Sequence, residues 1–215
     1  FLIDKIKKGK SIALVSDAGT PLISDPGYKL VSMAIEENLS VVPVPGPSAV
    51  TASLVSSGIV SENFYFVGFL PAKENKKINT LKSLLKINTL LIFFESPKRL
   101  QKTLESMLLI LGDRKCAILR EITKYYETAY RGKISKVCSD IKSEKNMKGE
   151  ITIIIDKPYK EDSKNIVNNT ENQNLEKIFS FAQGKISTKN LATLLSIIYK
   201  KPKKFFYSQV IKFVK

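Results

Sequence analysis

The sequence predicts an α/β protein built as two subdomains and followed by a small, basic helical domain. Three observations carry that reading. Apolar, strand-like runs alternate with helical patterns from residue 11 to residue 69. A polar break at 71–77 separates them from a second series of strands and helices that ends at residue 155. After Glu176 the chain has no acidic residue, and its apolar spacing is helical. The expected boundaries are therefore 1–70 for the first subdomain, 71–157 for the second, 158–173 for a linker and 174–215 for the basic helical domain.

The elements follow in order. Residues 11–16 read as a strand, and a helix over about 27–38 places Leu30, Val31, Ala34 and Ile35 on one face. A strand at 40–44 leads through Pro45-Gly46-Pro47 to a helix capped by Ser48. A strand at 64–69 completes a strand–helix–strand–helix–strand series, the pattern of parallel neighbours. Beyond the break come a helix at about 76–86, a strand at 90–94 and a helix at 97–111 closed by Gly112. Strands at 115–120 and about 125–131, a helix at about 134–143 and a strand at 150–155 finish the second subdomain. Residues 156–173 are polar and Asn-rich, the composition of a linker. Helices are expected at about 174–183 and 188–200, the latter with Leu191, Leu194, Leu195 and Ile198 on a stripe. A third starts at Pro202, a residue tolerated in the first helical position, and Phe205, Phe206 and Tyr207 are expected in the core of this small unit.

Composition narrows the chemistry. There is no histidine, which excludes Ser-His-Asp triads, imidazole bases and histidine metal sites. Cys116 and Cys138 stand twenty-two positions apart, without metal-ligand spacing, so no metal is expected. Sparse cysteine fits a reducing, cytoplasmic compartment. No apolar run reaches the roughly 18 residues of a membrane span, and the opening FLIDKIKKGK lacks the pattern of a signal peptide. The chain opens on Phe1 rather than Met, so it is expected to be part of a longer protein.

The formal charge is +15. A polyanionic partner is one reading and a lysine-rich compositional bias another. Distribution favours the partner, because Lys177 to Lys215 carries nine lysines and no carboxylate side chain. Lys189, Lys200, Lys201, Lys203 and Lys204 are the candidate RNA-docking residues; a solvated helical cap is the alternative.

Two stretches carry the candidate site. VSDAGTPLISDPG, residues 15–27, follows a predicted strand, where ligands of open α/β sheets bind. Gly19 and Gly27 let backbone approach a ligand, and Pro21 and Pro26 restrict the loop. Asp17 and Asp25 would repel phosphate, and the Gly-Lys-Ser/Thr ending of a phosphate loop is absent. A ligand with ribose hydroxyls and positive charge fits better. PVPGPSA, residues 43–49, is a second strand-to-helix turn with small residues at the helix start.

With FVGFLP, FFESPKRL, LREITKYYE and KGEITIII these stretches form an ordered series. The series closely resembles the ribosomal small-subunit RNA methyltransferase I family of the tetrapyrrole-methylase superfamily. The resemblance covers about residues 10–155 and extends into the basic tail. It implies a class III S-adenosylmethionine methyltransferase fold, two α/β subdomains with the cofactor in the cleft between them. It also implies 2′-O-methylation of a cytidine ribose in the decoding region of small-subunit ribosomal RNA. The partner would be that RNA or the assembled small subunit, and the superfamily's frequent dimerisation makes a homodimer an expectation. By matching motifs, Asp17, Ala18, Gly19, Thr20, Pro21 and Ile23 would hold S-adenosylmethionine from the first loop, with Ser48 and Ala49 from the second. Glu95 and Ile122 would reach it from the second subdomain. The family's opening segment, with a Pro-Ile-Gly-Asn turn and a later Glu-Asp-Thr-Arg stretch, has no match in these residues.

Methyl transfer to a hydroxyl needs alignment of oxygen, carbon and sulfur, and a route for the proton. Glu95, Glu121 and Lys124 are the candidate proton acceptors. Each has a structural alternative: Glu121 can pair with Arg120 or Lys124, and Glu95 can cap the helix at Pro97. Two other functions stay open: a small-molecule methylase of the precorrin type, and a non-catalytic RNA-binding assembly factor.

Overall fold

The computed structural model describes residues 1–144, 147–159, 175, 178–199 and 202–214. The chain divides into two compact units, Phe1–Pro158 and Tyr159–Lys215. The first unit contains α1 (Leu2–Lys7), α2 (Tyr28–Glu36), α3 (Ala49–Ser57), β1 (Phe64–Phe69), α4 (Glu74–Leu84), β2 (Leu90–Glu95), α5 (Pro97–Leu111), β3 (Lys115–Arg120), β4 (Thr128–Lys133), α6 (Ile134–Lys142) and β5 (Ile151–Ile155). The second contains α7 (Thr188–Tyr199) and α8 (Lys203–Val214). It also has a helical stretch over 178–182. Most of the expected linker, from residue 160 on, lies outside the described residues.

One mixed sheet organises the first unit, in the order β1-β2-β5-β3-β4. β1 and β2 are parallel, with Tyr65 opposite Leu91, and the remaining pairs are antiparallel. The central strands are buried on both faces, which is why LLIFF and ITIII read as nearly unbroken apolar runs. Alternation then sends neighbours to opposite sides. Leu91 and Phe93 pack with Leu81, Leu100, Leu104, Met107 and Val137 of α4, α5 and α6. Leu90 and Ile92 pack with Val50 and Leu54 of α3 on the other side. Each fully buried side chain of this size contributes about 1.5–3 kcal/mol by leaving water.

α5 begins where the sequence expects, with Pro97 in its first turn, and ends at Gly112 with φ 82°. Three expectations need correction. Residues 11–16 and 40–44 are not strands. A strand needs a hydrogen-bonded neighbour, and neither segment has one among the described residues. Val15, Val42 and Val44 are 82%, 77% and 85% exposed there. Pro43 also removes one N–H from the second segment, and Pro45 and Pro47 remove the next two on the same side of the chain just beyond it. The strand at 64–69, grouped by sequence with the first subdomain, hydrogen-bonds to β2 and forms the edge of the sheet of the second.

In the second unit, Leu175, Phe179, Leu191, Leu195, Phe206 and Val210 form the core. Of the three consecutive aromatics only Phe206 is buried; Phe205 and Tyr207 are 43% and 42% exposed. Successive helical residues point about 100° apart, so three in a row cannot share one face. Among the described residues no helix is long and apolar enough to cross a membrane.

Candidate functional site

The site lies where β1 and β2 end and β5 begins. β2 runs out at Glu95, which pairs with Ile151 at the start of the antiparallel β5. The 15–27 loop comes down onto this end of the sheet. At Gly68 (φ 74°), beside an irregularity in the β1–β2 register, an added Cβ would stand 3.2 Å from Ser24 Oγ. The loop is tightly wound, with Gly19, Leu22 and Ser24 all at left-handed φ of 73°, 74° and 59°. The Thr20 hydroxyl donates to the Pro47 carbonyl at 3.0 Å, joining it to the PVPGPSA turn. α3, which starts there at Ala49, is held at its other end by Arg131, whose Nη2 and Nε donate to the Ser56 carbonyl at 2.5 and 3.2 Å.

Two cavities result, of about 350 and 450 Å³. They share Ala18, Gly19, Ser48, Ala49, Glu150 and Thr152, so they are two parts of one cleft. The volumes fall in the range of small-molecule sites. In the first part, Phe69, Phe94, Ile23 and Val50 supply apolar wall, and Thr20, Ser24 and Ser48 supply hydroxyls. Its charged lining is Asp25, Glu95 and Glu150, with no lysine or arginine, in a chain of formal charge +15. The second part adds Asp17, Ile122, Thr123 and Lys124.

Residues 1–138 match the family model for tetrapyrrole (corrin/porphyrin) methylases. The chain belongs to this family.

Among curated relatives, the chain is similar to the ribosomal RNA small subunit methyltransferase I of Halalkalibacterium halodurans, 46% identical over 72% of this chain and 53% of that protein. The protein of that name from Thermotoga maritima is 46% identical over 72% of this chain and 68% of its own. The chain thus spans between about half and two thirds of the length of these relatives. Among solved structures, the methyltransferase CobJ aligns with a TM-score of 0.55 at 12% identity, over 72% of this chain and 68% of its own. A cobalt precorrin-4 methyltransferase aligns at 0.52 and 16% identity, over 71% and 67%. Both support the same fold.

In this tetrapyrrole methylase the structure gathers most of the residues singled out by sequence. Ala18, Gly19, Thr20, Ile23, Ser48, Ala49 and Glu95 line the first cavity. Asp17, Ile122 and Lys124 line the second. Pro21 and Glu121 line neither. Gly149, Glu150 and Thr152 were not singled out, although KGEITIII belongs to the motif series. The β5 end reaches the cleft only because β5 runs antiparallel to β2.

The three candidate proton acceptors sit in unlike surroundings. Glu95 is buried; its Oε1 accepts the Ser96 N–H at 2.8 Å and faces Arg99 Nε at 3.2 Å. Its Oε2 accepts the Thr103 hydroxyl at 2.7 Å. Arg99 in turn donates to the Leu70 carbonyl at 2.6 Å, so FFESPKR and FLP form one knot under the site. Glu121 takes the Glu150 N–H at 2.8 Å and Lys124 Nζ at 3.0 Å, and these bonds lower its carboxyl pKa below the usual range. Lys124 also meets Glu150 Oε2 at 3.1 Å, and its two carboxylates raise its pKa. An added Cβ at Gly149 would stand 2.4 Å from the Glu121 carboxyl carbon, so glycine there lets the loop close.

Of the candidate RNA-docking lysines, Lys189 lies on α7 and Lys203 and Lys204 open α8, all exposed. Lys200 and Lys201 lie outside the described residues.

Proposed function

We propose that the protein transfers a methyl group from S-adenosylmethionine to the 2′-hydroxyl of a cytidine ribose in the decoding region of small-subunit ribosomal RNA. The observation that carries the cofactor half is the acidic lining of the first cavity. A chain this basic that keeps lysine and arginine out of the lining of one cavity, where Asp25, Glu95 and Glu150 are the charged residues, suits a cationic, hydroxyl-bearing small molecule. Phe69 and Phe94 offer the aromatic and apolar surface a purine needs, and Gly19 presents open backbone with no atom within 4 Å of an added Cβ. The relatives' names and the acid-free tail support the RNA half.

S-adenosylmethionine would supply an electrophilic methyl group on a sulfonium. The protein's own contribution is position and exclusion of water. Ala18, Gly19, Thr20, Ile23, Ser48 and Ala49 would hold the cofactor on the loop side, and Ile122 on the opposite wall. Glu95, held by the Ser96 N–H, the Thr103 hydroxyl and Arg99, would build the wall of the site. Lys124 is held protonated by two carboxylates, so it would tie that wall together rather than act as a base. Glu121, made less basic by its donors, would fix Lys124. Alignment then supplies most of the catalysis. The basic helical unit, with exposed Lys189, Lys203 and Lys204, would dock the RNA backbone. The setting is a reducing cytoplasm, in keeping with two free, buried cysteines.

The test is methyl transfer from labelled S-adenosylmethionine to small ribosomal subunits lacking the modification, using the full-length gene product. Recovery of 2′-O-methylcytidine by mass confirms the proposal. Cofactor binding without transfer to RNA points instead to a small-molecule substrate. Absence of both leaves an RNA-binding assembly factor.

A further inference from the structure

Residues 121–127 join β3 to β4 and are wound to hold one shape. Glu121 and Thr123 stand at φ 51° and 64°, the left-handed region that costs a side-chain-bearing residue free energy. Side chains and backbone hold them there. Lys124 bridges Glu121 and Glu150 at 3.0 and 3.1 Å. Glu127 Oε2 accepts the Thr123 N–H at 2.7 Å, and the Thr128 hydroxyl donates to the Tyr126 carbonyl at 3.1 Å. The Lys124 and Glu127 N–H groups donate to the carbonyls of Glu121 and Lys124.

This fixed loop presents two aromatic rings to water. Tyr125 is 94% exposed and Tyr126 is 68% exposed. Their centroids are 5.0 Å apart at 85°, an edge-to-face pair that leaves ring faces open. Neither ring belongs to the core of the unit. They follow directly on Ile122, Thr123 and Lys124, which line the second cavity. At the loop end of the hairpin stand Arg120 and Lys124, paired with Glu144 and with Glu121 and Glu150, while Lys115 and Lys133 face each other at its other end.

We infer that Tyr125 and Tyr126 form a stacking platform for an unpaired base of the RNA substrate. The inference rests on the RNA reading proposed above and gives that site a base-holding element. Sequence-specific or single-stranded RNA is held by bases splayed onto aromatic faces, with nearby cations on the backbone. The tyrosines supply the faces, and Arg120 and Lys124 are the basic residues of the hairpin nearest them in the chain, at the loop end of the β3–β4 ladder. A rigid loop suits this task, since little freedom is lost when the base arrives.

The test uses the full chain and a fluorescein-labelled single-stranded RNA of about twelve nucleotides, within the site sizes of such grooves. Anisotropy titrations are run at several salt concentrations, with S-adenosylhomocysteine affinity measured alongside. The double variant Tyr125→Ala/Tyr126→Ala is expected to lose RNA affinity by roughly 10- to 100-fold. Its S-adenosylhomocysteine affinity stays as in the wild type. Its salt slope is also unchanged, because no phosphate contact is removed. Tyr125→Phe/Tyr126→Phe keeps RNA affinity within about threefold, since stacking needs the ring and not the hydroxyl. Wild-type RNA affinity in the double alanine variant overturns the platform and leaves the RNA reading standing. If that variant also turns a dimeric wild type into a monomer, the tyrosines belong to a second copy of the chain instead. A wild-type protein that binds S-adenosylhomocysteine but no RNA overturns the RNA reading and the platform together.

Discussion

Gly19→Arg is expected to abolish S-adenosylmethionine binding while leaving the chain folded. Gly19 has φ 73°, and no heavy atom lies within 4 Å of an added Cβ, so the substitution meets no clash at its base. The backbone cost of a side-chain-bearing residue in the left-handed region is about 1–2 kcal/mol. For a chain of this length that corresponds to a fall in Tm of roughly 2–8 °C. The side chain has to extend into the open space of the cleft, because Gly19 lines both of its parts. If the guanidinium came within about 5 Å of a bound sulfonium, it would repel it by about 3 kcal/mol at an effective permittivity of about 20. That alone weakens binding by roughly 100- to 300-fold, and occupied volume weakens it further. Two controls separate the causes. Gly19→Ala carries the same backbone cost with almost no added volume and is expected to bind within about threefold of wild type, the ratio of a few tenths of a kcal/mol. S-adenosylhomocysteine, whose sulfur is uncharged, loses less affinity than S-adenosylmethionine in the arginine variant. Isothermal titration with both ligands reads all of these, and thermal unfolding reads the strain. Unchanged S-adenosylmethionine affinity in Gly19→Arg refutes the placement of the cofactor. Equal losses in the alanine and arginine variants show that backbone shape, not open space, was decisive.

Other predictions follow from side chains nearby. Glu95→Ala removes the acceptor of Ser96, Arg99 and Thr103; a loss of about 2–3 kcal/mol, typical of hydrogen bonds to a buried charge, is expected in denaturant unfolding, and a loss below about 0.5 kcal/mol contradicts the knot. Burial pushes the Cys116 thiol up to about 12 and raises Cys138 as well. Iodoacetamide near pH 8, below the usual thiol pKa, should therefore leave both unmodified in the native protein and alkylate both after denaturation; native labelling of Cys116, read by mass, contradicts its burial. The Glu121 pKa is lowered, so its contribution is present above the unfolded carboxyl value and disappears as pH falls through the folded one. The Lys124 pKa is raised, so its contribution is present below the unfolded amine value and disappears as pH climbs through the folded one. The Tm difference between wild type and Glu121→Gln is thus expected to be level from about pH 5.5 to 10 and to shrink below about pH 4; a difference that grows toward acid reverses the assigned sign.

The elements predicted well are those whose signals are local. α5 carries its own proline start, glycine stop and apolar stripe, and its bounds agree with the pattern. The loop residues Ala18, Gly19 and Thr20 and the pair Ser48 and Ala49, named from the family resemblance of their motifs, line the cleft, because each motif is a short stretch whose residues stay together wherever the chain goes next. Strands carry no such internal evidence. The runs at 11–16 and 40–44 have strand composition, yet what makes a strand is a partner, and none lies beside them among the described residues. β1 was assigned to the wrong neighbours for the same reason: FYFVGF names no partner, and only pairing with β2 places it. Phe205 and Tyr207 read as core from composition, and the 100° step of a helix turns them away from Phe206.

By itself, the sequence determined the α/β character, the acidic, glycine-bearing loop and the basic tail, because each depends on the order of residues along a short stretch. Only tertiary structure decided that β5 runs antiparallel beside β2 and so brings Gly149, Glu150 and Thr152 into the cleft. Only it decided that Glu95 is held by Arg99 and Thr103, and that Lys124 stands between two carboxylates. Distances between residues far apart in the chain set those surroundings, and the surroundings set whether a carboxylate or an amine can take a proton.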